Sequence, residues 1–367
     1  MANSQANHID YTFKMLYIIA IIMVVDGHIG NFDYLNLNGL LRYQNYHLAL
    51  FMFTSGYFLN LNKNYQEFIT SKFTKLIVPL YVWNLIYGFL CYILNNHFGF
   101  SIGENFNLYN ILYAPLTDGH QFIYNMASWF LIPLFILQII SFIILKPIST
   151  SKLSLTSIIF FIIATTLACF TVPLVQQNHG NRDITLLFYR TLYFLPSFSL
   201  GFLYRHFLKK YDTLNTPLHL FIILSLITLL CVNFPNYNHI PAWLDALYEP
   251  MIVIYLISFL AILFWLRIAK TLSFLAKESK TLNYISNHTF DIMMHHFVGF
   301  MLIKAMLSPF GNNFDMYAFK HNIWYYHFPI DESLCAWLYI FITIVITLLI
   351  VFTINHFYDK IKKILSN

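Results

Sequence analysis

Leu338–Val351 reads LYIFITIVITLLIV, with no charged side chain and no polar face. A strand of a membrane barrel alternates apolar and polar residues over about ten positions, and this run does not alternate. Ile158–Leu167, IIFFIIATTL, has the same character. A helix that is apolar all round is either buried in a large core or crosses a bilayer. Crossing takes about 20 mostly apolar residues. Working outward from these two runs gives ten such stretches, at 11–31, 46–61, 76–95, 126–145, 153–174, 185–204, 217–234, 249–268, 288–307 and 334–357. The predicted fold is all-α, a polytopic membrane protein of about ten transmembrane helices.

Composition points the same way. Of 367 residues, 58% are hydrophobic, 19% aromatic and only 10% charged, against about 25% charged in soluble globular proteins. Mean hydropathy is +0.61. These values exclude a disordered chain, a collagen-like fibre, a disulfide scaffold and most soluble enzymes. Cys91, Cys169, Cys231 and Cys335 lie in or beside apolar runs without a CxxC pair, so they read as small core residues. The first run lacks an A-x-A-like cleavage site and reads as a retained helix rather than a signal peptide.

Charge placement sets the expected orientation. Basic residues collect in cytoplasmic loops. With the N-terminus inside, the predicted cytoplasmic segments hold 16 of the 21 Lys and Arg, leaving Arg42, Arg182, Arg190, Lys304 and Lys320 elsewhere. Both termini are therefore expected in the cytoplasm. The net charge of +5 is topological and calls for no nucleic-acid partner. The chain reads as one integral-membrane domain, 1–367, with a bundle at about 11–357 and a short cytoplasmic tail at 358–367. Connections 96–125 and 308–333, predicted external, are rich in Asn, Tyr, Phe, His and Gly. That composition suits a lid or carbohydrate-contacting surface, and equally an interfacial anchor.

Ionisable groups inside spans are costly and usually functional. Asp26 and His28 fall in the outer half of the first span, His47 opens the second, Arg190 lies in the sixth, and Asp291, His295 and His296 lie in the ninth. Asp26 and His28 are two apart and point to opposite faces. Asp291 and His295 are four apart, share a face, and are expected to pair. His296 points about 100° away, towards a separate cavity. Lys304 reads as a side chain snorkelling to the outer interface. Lys14 and His28 share a face but lie roughly 20 Å apart along the helix. HxxH and HxxxH spacings are absent, so no metal is expected.

Six segments, in order, resemble a known family: Val24-Val25-Asp26-Gly27-His28; Phe51-Met52-Phe53-Thr54-Ser55-Gly56-Tyr57; Lys72-Phe73-Thr74-Lys75-Leu76-Ile77-Val78-Pro79; Ser128-Trp129-Phe130-Leu131; Arg190 with Phe194-Leu195-Pro196-Ser197-Phe198-Ser199-Leu200-Gly201; and Asn287 to His296. They are similar to motifs of the integral-membrane acyltransferase family 3, which includes sugar and polysaccharide O-acetyltransferases. The family often carries Arg or Lys eleven residues before the first-helix histidine. That position is Tyr17 here, and Lys14 lies one turn earlier. Alignment on Ile292-Met293 favours His296 over His295 as the late-motif histidine.

The resemblance implies transfer of an acyl group, usually acetyl from cytoplasmic acetyl-CoA, to a hydroxyl of an extracytoplasmic glycan or glycolipid. Such a transfer needs a base, an oxyanion donor and a held thioester. His28 is the leading base, since an imidazole titrates near neutrality. His296 and Asp26 join it as candidate catalytic residues. Direct transfer and an acyl-histidine intermediate both fit. Ser55, Trp129, Arg190 and His295 are candidate substrate-binding groups, with a packing role open for Ser55 beside Gly56. Lys14, Lys72 and Lys75 are candidates for the CoA phosphates, although positive-inside bias alone also explains lysines there. The expected partners are membrane lipid and a carbohydrate or glycolipid acceptor. Asn-rich, Lys-over-Arg usage suggests an AT-rich bacterial genome, hence the bacterial cytoplasmic (inner) membrane. Buried His, Asp and Arg also suit a proton-coupled transporter or flippase. Inverted repeats with broken helices would favour that alternative, and none is visible.

Overall fold

The computed structural model describes residues 10–29, 40–148, 152–176, 183–245, 247–311 and 313–365. Arg182, residues 30 and 31 of the first predicted span, and residues 366 and 367 of the predicted tail lie outside them. Regular structure among the described residues is helical, and a single antiparallel bridge joins Ile240 to Asp245.

The chain runs through α1 (Tyr11–Asp26) and α2 (His47–Tyr57), then α3 (Tyr65–Lys72) and α4 (Val78–Phe98). Next come α5 (Leu131–Ile148), α6 (Leu153–Thr171), the single turn α7 (Pro173–Gln176) and α8 (Ile184–His206). After α9 (Thr216–Asn233) and α10 (Met251–Thr271), two short helices, α11 (Ser273–Glu278) and α12 (Lys280–Asn287), lead into α13 (Thr289–Leu307). The short α14 (Met316–His321) precedes α15 (Glu332–Leu365). Side-chain acceptors start several of these helices. Asp10 takes the Thr12 amide at 3.1 Å, Asn64 the Glu67 amide at 2.6 Å and Asn215 the Leu218 amide at 2.9 Å, each satisfying a donor that a helix end leaves orphaned.

Eight helical segments among the described residues are long and apolar enough to cross a membrane. They coincide with the third to tenth predicted spans, and this is the helix set of a membrane protein. In α6 and α9 only 17% and 11% of the apolar stretch is buried inside the protein, so their outer faces meet lipid. Residues 358–365, expected as a tail, continue α15 as helix.

The first two predicted spans are shorter. α1 has 16 residues and α2 has 11, rising about 24 Å and 16 Å, against a hydrocarbon core of about 30 Å. Both are enclosed by protein, so neither must satisfy the bilayer alone. α2 presses on α8 at two glycines. A Cβ on Gly56 would sit 1.9 Å from the Phe198 carbonyl oxygen, and one on Gly201 would sit 1.8 Å from that of Phe53. Only glycine permits this approach, and it explains both glycine motifs.

α3 passes into α4 through one π-helical turn, Phe73–Ile77, in which the Val78 amide reaches back to the Phe73 carbonyl. Pro79 lies in the following turn and has no amide to donate, and the wider turn carries the chain past it. Basic side chains tie together one end of the bundle. Lys146 donates to the carbonyls of Leu61, at 3.0 Å, and Lys63. Arg205 caps the Tyr57 carbonyl at 3.0 Å, and Arg267 pairs with Asp212. The histidine-rich cavity described next lies at the other end.

Candidate active site

α1 stops at Asp26, so His28 sits in the turn just beyond the helix rather than within it. Its Nδ1 lies 2.6 Å from the Val24 carbonyl oxygen and 3.3 Å from Nε2 of His296. On α13, the Nδ1 of His296 faces the carbonyl of Met293 at 2.7 Å. One proton arrangement satisfies every contact: both rings carry their proton on Nδ1. His296 then offers its Nε2 lone pair to the Nδ1–H of His28, and the Nε2 lone pair of His28 is left for chemistry. The Trp324 ring stacks over His28 with centroids 6.1 Å apart and planes at 13°. Tyr326 hydrogen-bonds the His28 carbonyl.

His28 forms part of the wall of a cavity of about 550 Å³. His47, His120, Trp129, Trp243 and Trp324 line it as well. His47 is pinned like His28, with Nδ1 2.8 Å from the Tyr43 carbonyl. His239 is bonded at both nitrogens, to the Tyr237 carbonyl at 3.2 Å and from the Tyr193 hydroxyl at 2.6 Å. Burial holds its pKa down at about 4, against the pull of the Tyr237 carbonyl. A second cleft of about 510 Å³ lies between α5, α6 and α8. Its lining is apolar, aliphatic with Phe160 and Phe188, apart from a few hydroxyls, and carries no titratable side chain, so it has no means to move a proton.

A family model described as an acyltransferase domain matches residues 13–356, from α1 through most of α15. The chain belongs to the acyltransferase 3 family. No curated protein and no solved structure gives a significant match. Family and fold together make it a membrane acyltransferase.

Of the ten residues nominated from sequence in this acyltransferase 3 chain, His28 and Trp129 line the cavity, and His296 and Arg190 touch residues that do. Asp26 is buried and turned away from His28, its Oδ2 accepting from the Tyr43 hydroxyl at 2.8 Å. His295 faces α4, where its Nδ1 meets the Tyr87 hydroxyl at 2.5 Å. Asp291 does not pair with His295. It accepts instead from His288 at 2.7 Å, because His288 lies one turn back beside the partly exposed carboxylate. Ser55 does not line the cavity and neighbours the tight Gly56 contact.

The Arg190 guanidinium is used as a clamp. Nη1 donates to the carbonyls of Thr117 at 3.1 Å and Asp118 at 3.0 Å, and Nε to that of Ala242 at 2.7 Å. It lies over the Trp129 ring at 4.5 Å. One side chain thus holds two loops against α8. The three lysines stay at the basic end. Lys14 donates to Asn287 at 3.1 Å and to Asn283, Lys72 covers the Phe68 ring, and Lys75 is exposed on the π-helical turn.

Several site residues escaped the sequence reading. Lys304 does not snorkel outward. It is only 3% exposed, donates to the Ile323 carbonyl at 2.5 Å and sits 3.9 Å above the Tyr326 ring. It thereby anchors the segment that lays Trp324 on His28. Sequence alone does not single out His120, yet its Nδ1 lies 2.8 Å from the Asp118 carboxylate. The sequence did carry a signal: Asp118-Gly119-His120 repeats the Asp26-Gly27-His28 tripeptide. No group of three or more His, Cys, Asp or Glu side chains able to hold a metal occurs among the described residues.

Proposed function

We propose that the protein is a membrane O-acyltransferase. It takes an acyl group, acetyl in the simplest case, from cytoplasmic acyl-CoA and passes it to a hydroxyl of an extracytoplasmic glycan or glycolipid. We place it in a bacterial cytoplasmic membrane with both termini inside, α1 and α2 completing a ten-helix count and residues 1–367 forming one domain.

The observation that carries this reading is His28 on the cavity wall with His296 behind it. A neutral imidazole with its Nδ1 proton engaged presents Nε2 as base or nucleophile. Three tryptophans around it offer flat faces on which a sugar ring stacks, and the cavity volume suits a small ligand of that class. Lys14, Lys72 and Lys75 lie at the other end, where the phosphates of CoA would be held. The thioester end of CoA would then extend along α1 to reach His28.

The experiment uses purified protein in lipid nanodiscs with acetyl-CoA and a panel of glycan acceptors, read as release of free CoA. Acceptor-dependent release that disappears in a folded His28→Ala variant supports the reading. Failure to bind acetyl-CoA together with measurable solute flux in proteoliposomes would replace it with transport.

A further inference from the structure

The tripeptide Asp-Gly-His occurs twice around one cavity, in two geometries. At residues 26–28 the backbone is helical, Gly27 has φ −61°, and the acid and the imidazole diverge. At 118–120, Gly119 has φ +76°, a conformation open to glycine and strained for residues with a Cβ. A Cβ there would also meet the Trp129 Cβ at 2.7 Å. This bend folds the Asp118 carboxylate back onto its neighbour but one, so Oδ1 receives the His120 Nδ1–H at 2.8 Å. The His120 ring is packed against Trp243 (centroids 4.2 Å) and faces Trp129 (6.2 Å, 24°). Arg190 locks the loop through the carbonyls of Thr117 and Asp118. A rigid, carboxylate-backed imidazole therefore faces the same cavity as His28.

The two histidines differ in what backs them. Each Nδ1 faces a backbone carbonyl at 2.6–2.8 Å, but His28 adds a neutral imidazole behind it, whereas His120 adds the Asp118 carboxylate. A carboxylate makes an imidazole a stronger proton acceptor. An imidazole without one stays less basic and departs more readily from an acyl carbon. We infer that the cavity divides the labour: His28 Nε2 carries the acyl group, and the Asp118–His120 dyad takes the proton of the acceptor hydroxyl. This assignment rests on the acyl-transfer reading above.

The steps balance. His28 Nε2 attacks the thioester carbonyl carbon, a C–N bond forms, the C–S bond breaks and CoA leaves as the thiolate. The ring keeps its Nδ1 proton and becomes an acyl-imidazolium. His120 Nε2 then removes the proton of the acceptor hydroxyl as that oxygen attacks the acyl carbon. A C–O bond forms, and the C–N pair returns to His28. The proton on His120 is released to solvent as the thiolate takes one up. Thioester and alcohol become ester and thiol.

Burial between the tryptophans lowers the pKa of His120 below the usual histidine value, although Asp118 pulls it upward. The ring is thus neutral at pH 7 and able to accept a proton. Two assays separate the roles. Exchange of label between acetyl-CoA and free CoA reads the first half-reaction alone, and ester formation reads both. His120→Gln should lower ester formation about 100-fold while label exchange persists, and His28→Ala should lose both. Asp118→Asn should follow His120→Gln in direction, which guards against a fold defect special to one variant. Loss of exchange in parallel with ester formation in both variants, or ester formation within threefold of wild type, would overturn the division. A wild type that forms ester without any exchange would overturn the acyl-histidine step. A wild type that forms no ester with any acceptor and does not bind acetyl-CoA would instead sink the underlying acyl-transfer reading.

Discussion

His28 and His296 meet nitrogen to nitrogen at 3.3 Å, across α1 and α13, with each Nδ1 also facing a carbonyl of its own helix. His296 accepts a hydrogen bond from the His28 Nδ1–H, and its own Nδ1–H ends on the Met293 carbonyl, so the proton stays on His28. Removing the His296 ring leaves the His28 Nδ1–H its Val24 carbonyl but no second acceptor. Ester formation in His296→Phe should fall roughly tenfold to 100-fold, less than in His28→Ala, in the nanodisc assay.

Arg190 should act on loops rather than on chemistry. Arg190→Lys keeps the charge but cannot reach three carbonyls on two loops with one forked donor. Each buried carbonyl left without its donor costs about 1–3 kcal/mol. The variant should melt several degrees lower, and amide exchange in residues 114–121 and 240–245 should speed up together. Faster exchange in only one loop would contradict the clamp.

The α2–α8 contact admits no Cβ. Gly56→Ala and Gly201→Ala each place a methyl group inside a backbone carbonyl, and overpacking of this kind costs on the order of 3 kcal/mol. Both variants should show sharply reduced folded yield in detergent size-exclusion chromatography, whereas Ser55→Ala should resemble wild type.

Lys304→Met removes the donor to the Ile323 carbonyl and the cation over Tyr326. The stacking of Trp324 on His28 should loosen. Acceptor KM should rise severalfold with less change in kcat, and tryptophan fluorescence should shift to the red. An unchanged KM would show that the segment needs no anchor.

His239 sets a pH limit. Its folded pKa is about 4, against about 6.5 in an unfolded chain. The unfolded state binds the proton first as pH falls. The full contribution to stability is therefore present above pH ~6.5 and is lost progressively towards pH ~4, with roughly 3 kcal/mol at stake. The melting temperature should decline across that window, and His239→Gln should flatten the decline. A melting temperature independent of pH between 7 and 4.5 would refute it.

Much of this was legible in the sequence, because apolar runs such as Leu338–Val351 report burial in lipid directly. The sequence nominates His28 and His296 without pairing them, and the fold brings them into contact while turning His295 towards Tyr87. Other contacts depend on features that spacing does not encode. Asp291 had histidines three residues before it and four after it, and only the exposed end of α13 decides between them. Asp118 and His120 meet because of one positive φ at Gly119. Lys304 is buried by a distant segment folding over a helix end, which no local pattern announces.

The shortness of α1 has an electrical consequence. Between Lys14 and His28 the protein is roughly 20 Å thick along the helix, thinner than the surrounding hydrocarbon. If the cavity is wetted, any membrane voltage falls across that septum rather than across the full bilayer, and the local field is steeper in proportion. A charge moving along α1 does work against that field, so the energized state of the membrane becomes a term in the rate of any step that shifts charge there.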